Sequence, residues 1–353
     1  MCGVESRFRW WIAGAVLSCC LAAGTSANAQ EFRTLAGLLP DHANAIVLLN
    51  IEKMLSSPYG QEQGWTENLD EAFRDGLARV PSSAEKVVLA GELDLEFMQP
   101  VWNAMLIKTK HPIDYTRLAK EKGAEFDQID VFKALRMPTD GFAIFAKPDL
   151  VGVLSPANRQ WAVRWARKMQ SGGDFTSLSP YLRRAASYSD DAGSEIIMAL
   201  DLDGVVSAVE VRKNLEESNA LEGTGLDVAQ TAELLASVKG IRFGIRIGDK
   251  PSGMAAVDFG ADATALKPVA KKLFDNLINR AGIRIADFDQ WQANAQGTEV
   301  TLSGYFSESG LRRILSVSDS PETPADLDAP VSPGDLAQQK AQNTLKYYRT
   351  VQE

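Results

Sequence analysis

The side chains able to do chemistry in this 353-residue chain are almost all carboxylates, with 46 Asp plus Glu against two His and three Cys. So few imidazoles and thiols exclude most multi-histidine metal sites and most disulfide frameworks. The sharpest arrangement of acids is Asp201-Leu202-Asp203-Gly204, which ends the apolar run Ile196-Ile197-Met198-Ala199-Leu200. The plain alternative is that Asp201 and Asp203 cap a following helix. Asp190-Asp191 could hold Ca²⁺ loosely, but adjacent acids in a Ser/Gly-rich stretch read as a solvated connector. A serine triad would have to recruit His42 or His111, and no Gly-x-Ser-x-Gly elbow exists. There is no Gly-x-x-x-x-Gly-Lys loop, and Gly223-Thr224-Gly225 lacks a third glycine and a preceding strand, so it reads as a loop. A glycosidase-like carboxylate pair is spatial, and the sequence does not single one out.

The elements that would position these groups begin after an export leader. Arg7 and Arg9 precede an apolar stretch from Trp10 to Ala23, and Ala27-Asn28-Ala29 offers a small-x-small cleavage site. That stretch is 14 residues long, against roughly 20 for a helix that spans a bilayer. The reading is a signal peptide over 1–29, with a periplasmic or extracellular mature chain and no membrane span in it. Ser18-Cys19 suggests lipidation instead, but the apolar run continues past it. Removing Glu5, Arg7 and Arg9 from 37 basic and 46 acidic residues leaves 35 and 45. The mature chain is therefore acidic, which argues against nucleic acid as a partner. It also loses Cys2, Cys19 and Cys20, and with them any disulfide or thiol chemistry.

Past the leader the chain repeats itself. Ile46 to Ser56 aligns with Ile197 to Ser207 without a gap, placing Asn50 on Asp201. Lys86 to Gly91 matches Lys239 to Gly244, and each precedes a second strand, near 101–108 and 253–259. Leu150 to Leu154 runs into Ser155 as Val300 to Phe306 runs into Ser307, each serine read as a helix cap. Three landmarks in one order predict two repeats, over 30–180 and 181–317. Each reads as strand, helix, two strands, helix, two strands, helix. Ile241, Phe243, Ile245 and Ile247 alternate with Arg242, Gly244 and Arg246, a strand with one buried and one wet face. Asp262 is expected to cap a helix carrying Leu266, Val269, Ala270, Leu273 and Leu277 on one stripe. Trp161, Trp165 and Met169 follow helical spacing and read as core rather than as a ligand platform. The fold class is α+β, with a mainly antiparallel sheet and amphipathic helices on it. Whether the two sheets join is open at this point.

Residues 318–335 carry Pro321, Pro324, Pro330 and Pro333 with five acids, and read as a linker. Residues 336–353 read as a helix with Ala337, Ala341, Leu345 and Tyr348 on one side, suited to self-association or to recruitment of an envelope partner.

Two resemblances bear on function. Leu39 to Asn50 with Met54-Leu55-Ser56-Ser57-Pro58-Tyr59-Gly60 resembles the opening of exported bacterial proteins of unknown function, which implies a repeated α+β build and export. The run from Ile196 to Val206 resembles the first motif of haloacid-dehalogenase-type phosphatases, which implies Asp201 as nucleophile, Asp203 as acid/base and Mg²⁺ as cofactor. Against that implication, the segments downstream read as a hairpin where such a fold needs parallel strands. The preferred reading is an exported, non-enzymatic binding or scaffolding protein of unassigned ligand, with no catalytic, cofactor or metal residues. A Mg²⁺-dependent phosphohydrolase using Asp201 and Asp203 is the alternative.

Overall fold

The computed structural model describes residues 26–316 except Leu77, 96–98, Asn219 and 281–284. The leader up to residue 25, the segment 318–335 and the helix expected over 336–353 lie outside the described residues. Of the described residues, Ser26 to Leu311 belong to one compact unit and Arg312 to Ser316 to a second.

Apolar, β-branched runs bounded by caps and turns set the elements. In the first half these are α1 (Ser26–Gly37), β1 (Ala45–Leu49), α2 (Ile51–Ser56), α3 (Pro58–Glu62), α4 (Trp65–Arg74), β2 (Ala84–Asp94), β3 (Gln99–Thr109), α5 (Tyr115–Lys122), β4 (Glu125–Ile129), β5 (Phe132–Met137), β6 (Gly141–Lys147), β7 (Leu150–Ser155), α6 (Arg159–Ser171) and α7 (Pro180–Ala192). The second half adds β8 (Ile196–Asp201), α8 (Ala208–Ser218), α9 (Val228–Ala236), β9 (Val238–Arg246), β10 (Ser252–Phe259), α10 (Ala270–Arg280), β11 (Gln292–Gln296), β12 (Glu299–Tyr305) and α11 (Glu308–Ser316).

All the strands among the described residues join one antiparallel sheet of twelve, in the order β11-β12-β10-β9-β8-β1-β2-β3-β7-β6-β5-β4. The fold is thus α+β on a large antiparallel sheet, and the two halves share it. Outward from β1 run β2, β3, β7 and β6; outward from β8 run β9, β10, β12 and β11. Only the first half continues, through the hairpin β4–β5, which the sequence reading missed. β1 and β8 meet with Val47 opposite Met198. At the two ends of this seam Asn50 N donates to Glu195 O and Asp201 N donates to Asn44 O, both at 2.8 Å.

On one face α1, α6 and α7 pack a core that includes Phe32, Leu48, Trp102, Ile144, Trp165 and Leu182. Trp165 and Met169 are buried there. Trp165 Nε1 donates to Leu38 O at 2.8 Å, and Trp161 meets Trp102 edge-on, so these residues are core. The cap of α6 is Asn158, whose side chain accepts from Trp161 N. Ser155 is the last residue of β7 instead, a correction to the expected landmark, because Pro156 and Ala157 intervene before the chain turns helical. Ser307 does cap, its Oγ accepting from Gly310 N at 3.1 Å. Asp262 accepts from Thr264 N, an Asx turn that leads into a short 3₁₀ turn, Thr264–Leu266, whose N-cap is Ala263; the expected cap is corrected. The α-helix starts only at Ala270, after Pro268.

The opposite face carries one apolar row across every strand. Directly opposed residues run Phe126, Leu135, Ala143, Val153, Met105, Leu89. The row continues through Val47, Met198, Phe243, Ala255, Leu302 and Ala293. Near the first end Tyr115 of α5 packs edge-on against Phe126 and Phe145. Toward the other end Trp291 stacks on Phe243 and contacts Phe288 and Phe306. Its indole fills the space over Gly304, where a Cβ would come within 2.4 Å of the ring, so only glycine fits.

Candidate functional site

Asp201 and Asp203 sit where β8 leaves the sheet beside the seam. Asp201 Oδ1 accepts from Asp203 N at 3.0 Å, an Asx turn that folds the chain back on itself. Asp203 Oδ1 takes the Lys239 ammonium at 2.7 Å, with both side chains well exposed. α8 starts at Ala208, beyond this turn. The expectation that the two acids cap the next helix is therefore corrected: they shape the turn, and Ser207 Oγ accepts from Glu210 N at 3.5 Å. The matching residue in the first half, Asn50, does cap its helix, accepting from Lys53 N.

A divalent ion at Asp201 and Asp203 would need further oxygen donors around an octahedron. Among the described residues no group of three or more His, Cys, Asp or Glu side chains converges. One of the two carboxylates already holds Lys239. The donor set does not fit Mg²⁺, and both neighbours of β8 are antiparallel to it. His42 and His111 are exposed. Asp190 and Asp191 fall within α7 rather than in a connector. Gly223 to Gly225 form a turn, Thr224 Oγ1 donating to Leu221 O.

A polar cluster lies on the helix-covered face of the second half. Tyr181, on α7, sends its hydroxyl to Asp258 Oδ2 at 2.8 Å. Arg242 reaches the same carboxylate at 3.3 Å and also pairs with Glu299. The ring of Tyr181 lies over Gly240, where a Cβ would come within 2.3 Å of it. Burial, then the Asp258 charge and hydrogen bond, push the Tyr181 phenol well above its ordinary range. These groups tie α7 to β9, β10 and β12. The two acids against one arginine are already paired, so the cluster works as a joint.

Around the seam the apolar row is only partly covered. Val47, Leu89, Met198, Leu200, Ile241 and Phe243 are all half-buried. α4 has no buried residue, and Val209 of α8 is 79% exposed. Sequence reasoning missed this band because it arises from strands about 150 residues apart, although the alternation in β9 identified two of its members.

Beside α6 lies a shallow open depression of about 400 Å³ lined by Arg159, Gln160, Val163 and Arg164. Arg159 is committed elsewhere, donating to Asp127 Oδ2 at 2.6 Å and to Gln128 O at 2.8 Å. Its guanidinium holds the Asp127 carboxyl below the usual carboxylate range.

No helix among the described residues is long and apolar enough to cross a membrane. No family model matches the chain, and no curated protein matches it. Among solved structures, crystal form III of the Treponema protein TP0453 is similar over 80% of this chain and 97% of that chain, at 10% identity and a TM-score of 0.48. Crystal forms IV and I of the same protein match at 7% and 9% identity with TM-scores of 0.44 and 0.46, over 80% of this chain and 96% of theirs.

Proposed function

We propose that this is an exported, non-enzymatic binding protein of the bacterial envelope, built from two copies of one α+β unit, which holds an elongated apolar ligand across the strands on either side of the seam. The supporting observation is the half-buried band Val47, Leu89, Met198 and Phe243, four apolar residues directly opposed across neighbouring strands. Each such side chain left partly in water forfeits part of the roughly 1.5–3 kcal/mol that full burial contributes. A ligand laid across the strands recovers it. Export rests on Arg7, Arg9, the stretch Trp10 to Ala23 and Ala27-Asn28-Ala29.

The test is titration of the purified protein with a fluorescent apolar probe such as N-phenyl-1-naphthylamine, followed by competition with long-chain amphiphiles. Saturable binding that Met198→Glu abolishes, with an unchanged melt, is expected. No saturable binding, or binding indifferent to Met198→Glu, would overturn it. The same preparation tests the phosphohydrolase alternative: that reading requires Mg²⁺-dependent phosphomonoester cleavage that is lost in Asp201→Asn while the fold survives.

A further inference from the structure

The two edges of the sheet are built differently. β4 carries Glu125 and Asp127, and Arg159 from α6 reaches its Gln128 carbonyl and Asp127 carboxylate. Arg167 holds Asp130, just past the strand, at 2.7 Å. Charges and a covering helix are the usual protection of an edge against pairing. β11, at the other end, has β12 as its single neighbour among the strands; α10 packs against it, but no charge on the strand itself guards it. Its sequence, Gln292-Ala293-Asn294-Ala295-Gln296, contains no charge and no proline. Among the described residues, its backbone groups bond only to β12. Gln292, Asn294 and Gln296 are exposed, while Ala295 on the other face is buried.

That sequence also reads the same in both directions. An antiparallel partner related by a two-fold axis through Asn294 would set Asn294 against the partner's Asn294. Ala293 would face the partner's Ala295, and Gln292 the partner's Gln296. Every pairing is like with like in polarity and size. Carboxamides both donate and accept, so the Gln and Asn side chains complete reciprocal hydrogen bonds across the axis, and the small alanines let the strands approach closely. We infer that β11 pairs with β11 of a second copy, joining the two sheets edge to edge in an isologous dimer. The backbone supplies about four to six hydrogen bonds, a small interface that dissociates on dilution.

The test uses the full chain carrying Cys2→Ser, Cys19→Ser and Cys20→Ser, so that an added cysteine is unique. Opposed residues of an antiparallel pair have Cα atoms about 4.5–5.5 Å apart, inside the range a disulfide spans. Asn294→Cys should therefore give a covalent dimer under mild oxidation, while Gln128→Cys on the protected edge should not. In sedimentation the cysteine-free chain should show a concentration-dependent dimer. Asn294→Lys, which sets two ammonium groups opposite one another, should weaken that dimer by roughly tenfold or more with the thermal melt unchanged. A chain monomeric at its highest attainable concentration would overturn the inference. So would a dimer that cross-links as readily through 128 as through 294, or one that needs residues 336–353 and ignores Asn294→Lys.

Discussion

Replacing Glu195 with alanine tests what fastens β8 to β9 beside the seam. Glu195 is 6% exposed; its Oε2 accepts the Ile247 N–H at 2.8 Å, and its Oε1 lies 3.5 Å from Lys53 Nζ. Alanine leaves a buried N–H with no acceptor, which costs about 1–3 kcal/mol. The Lys53 side chain is 51% exposed, so losing the ion pair adds no more than about 1 kcal/mol. The total is about 1–4 kcal/mol, a fall in melting temperature of roughly 2–16 °C for a domain of this size. Glu195→Gln keeps an acceptor in place and should cost about 1 kcal/mol or less, as should Lys53→Ala. The assay is urea and thermal unfolding of the full chain, followed by circular dichroism. If Glu195→Ala unfolds with the wild type, or Gln costs as much as Ala, the buried hydrogen bond does not fasten β8 to β9. The same clamp recurs at the matching residue of the first half, where Asn44 bonds Leu93 N at 2.7 Å and Leu93 O at 2.9 Å. Asn44→Ala should cost about 1–3 kcal/mol for those two bonds.

Three further outcomes follow from the structure. Trp165→Ala should destabilise by about 3–5 kcal/mol and Trp161→Ala by clearly less in the same unfolding assay; equal costs would deny Trp165 its place in the core. The Asp127 carboxyl is depressed by its hydrogen bond from Arg159, so the stability it contributes is present above the ordinary carboxylate range and is lost as pH falls through the depressed value. Asp127→Asn should flatten the acid side of the melting-temperature profile, and an unchanged acid limb would refute this. The Tyr181 phenol is raised, chiefly by burial, so its contribution is complete below about pH 10 and is lost as pH rises beyond that. Tyr181→Phe should reduce the alkaline loss of stability, and parallel curves for the two proteins would rule it out.

Period and turn chemistry made most of the strands legible. Ile241, Phe243 and Ile245 alternate with Arg242 and Gly244 along β9, and the correspondence of Asn50 with Asp201 located β1 and β8 together. The hairpin β4–β5 escaped because Glu125, Phe126 and Gln128 are exposed, so β4 has almost no buried face to create a pattern. The alternation in β9 also misled on burial. Gly240 and Gly244 are buried while Ile241 and Phe243 are only half-buried, because Tyr181 lies on one side and the other is partly open. The Asp201-x-Asp203 spacing is equally suited to an Asx turn and to a nucleophile with its acid, and the hydrogen bond from Asp203 N to Asp201 that forms the turn is not written in the spacing. Tyr181, Arg242, Asp258 and Glu299 come from four elements, and nothing local in the sequence draws them together. The apolar row was hidden for the same reason, since opposition across strands is a property of register.

The seam has a consequence for how the chain acquires its fold. Other neighbouring strands lie within one half, whereas β1 waits for β8, about 150 residues later, and closing so long a loop is slow. A chain made from its N-terminus completes β2 through β7 while β1, Ala-Ile-Val-Leu-Leu, still has one unpaired edge. An uncharged apolar edge of that kind recruits other strands. Until the second half emerges, a nascent chain needs a holding factor, or a short wait, to keep Ala45 to Leu49 for β8.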